Sequence, residues 1–343
     1  MNAQLTSIPA SALTQTTIRV ARVPHYGPPN VIVLGRAPRP ALRPGTVRVL
    51  VEATTVTIGD ARIRGARLPR GFGAVLRLAF GWSGPRQQVL GTELTGIVTD
   101  VGDGVTAFRA GDAVIAVTGT KLGAHAEEVV LPADGLIVPR PSGLDVKAAA
   151  AIAFGGLTAS HYLDRCEVKP GERVLVVGAS GAVGLAVVQL AKRRGAVVTG
   201  VCSAENAALV ERMGAAHTID YRAQDPFADS ADSPQWDVIV DAAGTAPYSV
   251  CRRRLAPGGR LARVLCDLPG LLLAPLQGRL SGHRVIAGVT VERKEALLDL
   301  CALAARGDYE VVIDSVYSMD AIAEAHARVD SGRKRGNVVV LVG

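Results

Sequence analysis

At 343 residues, with 48% hydrophobic and 20% charged side chains, the chain has room for two hydrophobic cores and is not a disordered polymer. Its formal net charge is +7, yet the basic residues are scattered, with only short clusters such as Arg252-Arg253-Arg254 and Arg333-Lys334-Arg335, and aromatics are 4%. Positive charge without stacking residues or a recognition motif argues against a nucleic-acid partner and suits a phosphate-bearing small ligand.

Residues 1–16 are polar and rich in threonine and serine, so they are expected to be flexible. They lack the basic start and apolar centre of an export signal, which points to the cytoplasm. Thr17–Val20 and Val31–Leu34 read as strands joined through a proline-rich turn. In 46–55, Val47, Val49 and Val51 alternate with Arg48, Leu50 and Glu52, the period of a half-buried antiparallel strand. Short strands at 96–100, 113–117, 128–131 and 136–138 predict a compact, barrel-like β domain. Before them, 68–88 is an apolar and basic insertion that reads either as a short helix covering a cleft or as a packed excursion.

From Asp145 the pattern changes. Stretches 148–153 and 157–163 read as helices, and strands at 174–177, 197–202, 217–220, 237–241, 260–265 and 284–290 then alternate with helices. Helices over 204–213 and near 246–255 are among these. Such alternation predicts a doubly wound parallel sheet. The connection 266–282 is unusually apolar and suits either a pocket wall or a dimer contact. Helices over 293–306 and 319–331 and a strand at 336–341 are expected to rejoin the first domain. That domain would then be discontinuous, 17–143 with 291–343, around a second domain at 144–290. No run is long enough to span a bilayer, so no membrane partner is expected. Cys166, Cys202, Cys251, Cys266 and Cys301 are far apart and form no C-x-x-C pair, which argues for reduced thiols.

The chain is organised around ERVLVVGASGAVGLAVVQLAKRRG, Glu172 to Gly195. An apolar strand, a small-residue turn and a helix start in this order form a dinucleotide-binding signature. Gly181 would admit a diphosphate to the helix N-terminus, and Gly184 would let helix and sheet pack closely; Ala179 stands at the first glycine of the usual pattern. The second strand ends Val201-Cys202-Ser203, without the acid that holds the ribose of NAD. Ser203 could donate to a 2′-phosphate instead, and it equally suits the N-cap of the next helix.

With GTELTGIVTDVG (Gly91–Gly102), FRAGDAVIAV (Phe108–Val117), GGLTA (Gly155–Ala159), VKPGERVLVVGASGAVG (Val168–Gly184), MGAAHTIDY (Met213–Tyr221), WDVIVDAAG (Trp236–Gly244), LAPGGRL (Leu255–Leu261) and GRKRGNVVV (Gly332–Val340), the chain resembles the medium-chain dehydrogenase/reductase superfamily. Within it, the resemblance is to the zinc-independent quinone oxidoreductase (zeta-crystallin-like) and enoyl reductase branch. It implies an α/β fold: a GroES-like β-barrel catalytic domain plus a doubly wound Rossmann domain with a six-stranded parallel sheet. It also implies NADPH between the two domains and a homodimer. The cofactor residues it implies are Thr158, Gly178, Ala179, Ser180, Gly181, Ala182, Val183, Ser203, Asn206, Tyr221, Ala243, Gly244, Leu265 and Asn337. Asn337 stands where relatives often carry a lysine, and Glu205 where they often carry a basic residue.

Zinc-dependent relatives place a cysteine where Thr57 falls and a His-Glu pair where Thr92-Glu93 falls. Threonines supply neither thiolate nor imidazole, so no catalytic zinc is expected. Glu93 then reads as the partner of an arginine, and His125 and His161 as surface or packed residues. Thr57, Asp60 and Arg64 are the candidate catalytic residues of the substrate loop, with Arg62 where many quinone reductases have a nearby tyrosine. A salt bridge between Asp60 and Arg64 is the competing reading. The expected activity is NADPH-dependent reduction of an activated C=C bond in an enone, enoyl or quinone-type small molecule. A non-enzymatic NADPH-binding protein and a zinc-independent alcohol or carbonyl oxidoreductase are the alternatives.

Overall fold

The computed structural model describes residues 16–228 and 234–343. Apart from Thr16, the segment expected to be flexible lies outside them. The chain opens with an antiparallel hairpin, β1 (Thr17–Arg22) and β2 (Val33–Pro38). The second strand starts later than expected because Pro29–Val31 form a 3-10 turn. β3 (Thr46–Val56) follows, then α1 (Ile58–Gly65) and α2 (Gly73–Phe80). The insertion at 68–88 is thus built around a short helix. β3 is not half-buried: Arg48, on its polar face, is buried through ion pairs with Asp100 and Glu128.

β4 (Glu93–Val101), β5 (Ala113–Val117), β6 (Glu128–Pro132) and β7 (Ile137–Pro139) come next, followed by α3 (Val146–Ala151) and α4 (Ala153–Cys166). Then strands and helices alternate: β8 (Arg173–Val177), α5 (Ala182–Arg193), β9 (Val197–Cys202), α6 (Ala207–Arg212), β10 (His217–Asp220) and β11 (Trp236–Asp241). The helix expected near 246–255 shrinks to α7 (Tyr248–Cys251), because β12 (Leu255–Arg263) begins early. The apolar stretch 266–282 is not a loop but α8 (Leu268–Ser281), started by the Asp267 carboxylate accepting from Gly270 N–H. β13 (Arg284–Ala287), α9 (Lys294–Ala305), β14 (Ile313–Ser318), α10 (Ile322–Asp330) and β15 (Asn337–Leu341) complete the chain.

Two sheets carry the architecture. The six-stranded sheet is parallel throughout in the order β10-β9-β8-β11-β12-β13. Its direction of winding reverses between β8 and β11, which opens a crevice at their C-terminal ends. Val174, Leu175, Val176 and Val177 are buried on both faces, each contributing roughly 1.5–3 kcal/mol of apolar burial. The seven-stranded sheet runs β14-β15-β3-β4-β5-β7, with β6 also on β3. β15 lies antiparallel to β3, which places the last strand of the chain in this sheet. This is an α/β fold with a GroES-like domain and a Rossmann-type parallel sheet. One apolar cluster joins Ile115 and Val138 of the first sheet to Leu157, Val176, Leu297 and Leu300, which fixes the two sheets to each other across a cleft. Among the described residues, no helix is long and apolar enough to cross a membrane.

Candidate cofactor and substrate cleft

The cleft, about 890 Å³, opens where β8 and β11 end. At its floor the chain turns from β8 into α5 through Gly178–Gly181. A Cβ on Gly184 would lie 2.1 Å from Gly178 O, so helix and turn touch only because residue 184 is glycine. Gly181 differs. A Cβ there would meet nothing of the chain nearer than Gly178 O at 3.6 Å, so packing does not demand glycine, whereas a ligand approaching the helix N-terminus would. Opposite the turn comes the loop before β15: Gly336 N–H donates to Ser180 O at 3.0 Å, and Lys334 Nζ donates to Gly336 O at 2.5 Å. Lys334 lines the cleft, and burial pulls its pKa down to about 8. Lys334 belongs to a basic run whose spacing gives no hint of which side chain turns inward. Asn337 itself donates to Val312 O, away from the cleft lining.

Thr158, Gly178, Ser180, Gly181, Ala182, Val183, Tyr221, Ala243 and Leu265 line the cleft together. Ala179 lies beneath them, fully buried. Gly244 sits one step back, in a turn held by Asp241, whose carboxylate accepts from the N–H groups of Gly244, Thr245 and Ala246. At the end of β9, Ser203 is buried and makes no side-chain cap. Its hydroxyl instead accepts from Asn206 Nδ2 at 3.0 Å. Asn206 Oδ1 is buried with no partner among the described residues, and neither Ser203 nor Asn206 is among the residues that line the cleft. Tyr221 is exposed at the rim with Arg222 over its ring, and Arg222 pairs with Glu205 at 3.1 Å. The carboxylate that departs from the expected pattern is therefore answered by a neighbouring cation. The open glycine turn at the start of α5, with Lys334 lining the same cleft, fits a dinucleotide.

The substrate wall corrects the sequence reading. Residues 57–64 are not a loop but the start of a helix, and helical spacing turns Thr57, Asp60 and Arg64 inward. Thr57 and Asp60 form a capping box: Thr57 N–H and Oγ1–H both donate to Asp60 Oδ2, and Asp60 N–H donates to Thr57 Oγ1. Asp60 Oδ1 accepts from Gly91 N–H at 3.0 Å. Arg64 is fully buried and pairs not with Asp60 but with Asp330; it also donates to Gly27 O and to His326 Nδ1. Desolvation first, then the nearby His125 and Arg64, holds His326 well below the usual imidazole range, so a neutral ring accepts that bond. None of the three candidate catalytic residues lines the cleft; Ile58, Gly59 and Arg62 do.

Glu93 pairs with no arginine among the described residues. It accepts from Thr55 Oγ1 at 2.6 Å and Phe154 N–H at 2.7 Å, and burial pushes its carboxyl up to about 7. With Thr57 engaged by Asp60, the chain offers no thiolate or imidazole at the positions a zinc would need. Among the described residues, no group of three or more His, Cys, Asp or Glu could hold a metal ion. The donor set does not fit a catalytic zinc. His125 is buried against His326, with Nε2 at 3.0 Å from Thr55 O, and His161 packs edge-on against Tyr162. Among the described residues, none of α2 or α8 lines the cleft.

Comparison with known proteins agrees with this architecture. Residues 43–142 match the alcohol dehydrogenase GroES-like domain family and residues 213–340 the zinc-binding dehydrogenase family. A quinone oxidoreductase from Pseudomonas aeruginosa is 34% identical over 266 residues, spanning 74% of this chain and 81% of that one. The quinone oxidoreductase of Rattus norvegicus is 29% identical over 344 residues, spanning 96% and 100%. The solved structure of the quinone oxidoreductase from Coxiella burnetii aligns with a TM-score of 0.85 at 25% identity, over 95% of this chain and 100% of that one. The chain belongs to the medium-chain dehydrogenase/reductase superfamily, as a quinone oxidoreductase-like member acting on small molecules with a nicotinamide cofactor.

Proposed function

We propose that this chain is an NADPH-dependent, zinc-independent reductase of activated C=C bonds in enones, enoyl compounds or quinones. The end of β9 carries the reading: Val201-Cys202-Ser203 has no carboxylate, while Tyr221 and Arg222 stand at the rim beside it. A 2′-phosphate carries close to two negative charges, which an acid at this position would repel and these donors suit.

In this reading residues 144–290 hold the nucleotide, and 17–143 with 291–343 present the substrate. The N–H groups opening α5 and the Lys334 ammonium face the diphosphate, Asn206 Oδ1 accepts from a ribose hydroxyl, and Ser203, Tyr221 and Arg222 take the 2′-phosphate. Thr158, Ala243 and Leu265 flank the nicotinamide, which supplies the hydride when bound. The chain holds the acceptor carbon against that ring between Ile58 and Phe154. Thr57 and Asp60 position α1 without touching the reacting atoms, and solvent water protonates the α-carbon. With threonines in place of zinc ligands, polarising an alcohol oxygen has no support here, which favours an already activated double bond. The exposed Leu272, Leu273 and Leu276 of α8 favour a homodimer contact over a pocket wall.

Steady NADPH oxidation with a panel of enones and quinones tests the proposal. Tight NADPH binding without turnover of any of them would contradict it and mark a nucleotide-binding protein instead.

A further inference from the structure

Two cations enter the cleft from the side opposite the parallel sheet, Lys334 and Arg62. Lys334 is tied through Gly336 to the glycine-rich turn, where the proposed function gives it the diphosphate. Arg62 has no such assignment. It stands on α1 one turn after Ile58 and Gly59, and these three residues form the helix face that lines the cleft. The other arginines of this region are engaged, because Arg64 and Arg67 both pair with Asp330.

Among the described residues, no carboxylate pairs with the Arg62 guanidinium and no carbonyl accepts from it. Burial, then the charge of Arg67, pulls its pKa below the usual arginine value, with no anion acting in the other direction. Asp225 is the one acid among the described residues lining the cleft, and it follows Tyr221 at the nucleotide rim. A partly buried guanidinium presents five donors in a planar fork, and no nitrogen of Arg62 is sealed from solvent, so a ligand acceptor entering the cleft can replace water there. The group that satisfies them best is a planar anion held by two parallel hydrogen bonds. Under the proposed function, the diphosphate and the 2′-phosphate already have partners elsewhere, so the anion left for Arg62 belongs to the substrate.

We propose that Arg62 is a specificity residue that receives a carboxylate on the substrate, so that the preferred acceptor is an activated C=C compound bearing a negative charge rather than a neutral quinone. This rests on the reading of the cleft as a C=C reductase site. Ile58 and Phe154 supply apolar walls for the carbon skeleton, and Arg62 fixes its orientation by its charged end.

The test compares β-acetylacrylate, an enone with a carboxylate, against its methyl ester, at saturating NADPH. Wild type, Arg62→Met and Arg62→Lys are measured on both. The ratio of kcat/KM for acid over ester cancels the difference in intrinsic reactivity when variant is divided by wild type. In Arg62→Met that ratio is expected to fall roughly tenfold to a hundredfold, mainly through KM, the size of a lost charge-assisted bond. Arg62→Lys should recover part of it, and the NADPH dissociation constant should move far less than the ratio. Equal losses on acid and ester would overturn the inference. So would an NADPH affinity that falls in step with the ratio, which would give Arg62 to the nucleotide. If wild type binds NADPH yet reduces neither compound, quenching of bound NADPH fluorescence by the acid decides the matter. Acid binding that Arg62→Met abolishes upholds the anion site although the C=C reading fails, and no acid binding overturns both.

Discussion

The two walls of the cleft are built by different means. On the parallel-sheet wall, the backbone makes the site: a turn between β8 and α5 in which Gly184 permits packing and Gly181 leaves space open. On the α1 wall, side chains make it, and their partners come from far along the chain. Arg64 reaches Asp330, 266 residues away, and His326, 262 residues away. A backbone-built wall tolerates many side chains but few substitutions of glycine. A wall built from side-chain pairs depends on each pair, and what remains unpaired on its cleft face is free to meet a ligand.

Breaking the second wall should show most in stability. Asp330→Ala leaves the fully buried Arg64 without its carboxylate, and the expected loss is about 3–5 kcal/mol, read as a lower urea midpoint. An unchanged midpoint would mean that this pair does not hold α1 in place. Glu93, buried against Thr55 and the Phe154 N–H, gives a pH signature. Its carboxyl is raised from 4.5 to about 7, so the native chain binds that proton more tightly than the unfolded chain does. Its contribution is therefore fully present below about pH 4.5 and lost as pH rises through 7, up to about 3 kcal/mol. Glu93→Gln should flatten the fall in stability between pH 5 and pH 8. If wild type and variant change in parallel with pH, Glu93 is not the group responsible.

The first wall separates packing from ligand approach. Gly184→Ala should lower the Tm, because its Cβ would press on Gly178 O. Gly181→Ala should leave the Tm nearly unchanged while weakening NADPH roughly tenfold, since only a ligand would meet the added methyl. A matching loss of Tm in both variants would remove the distinction.

The same contrast explains what was legible in the sequence. The β8–turn–α5 unit declares itself locally, because an apolar run, small residues and a helix stop sit within one short stretch. The six parallel strands follow from the same local alternation. The apolar stretch 266–282 reads as a connection in the sequence because its leucines do not face a single core; Leu272, Leu273 and Leu276 are exposed on α8. Around Thr57 the residue types were visible but their directions were not. Reading 57–64 as a loop put Asp60 and Arg64 in the cleft, whereas one helical turn hides both and exposes Arg62. Glu93 and Lys334 were opaque for the same reason. The partners of Glu93 are Thr55 and Phe154, and Lys334 is turned inward by a loop that docks on Ser180.

The central claim is that β9 ends in a pocket for a 2′-phosphate, and nucleotide titration tests it most directly. NADPH and NADH are titrated against wild type and Ser203→Asp at low and moderate salt. Wild type should prefer NADPH. Ser203→Asp, placing a carboxylate where that phosphate sits, should weaken NADPH roughly a hundredfold while leaving NADH nearly untouched. A wild type that prefers NADH, or a Ser203→Asp variant with the preference of its parent, would contradict the assignment.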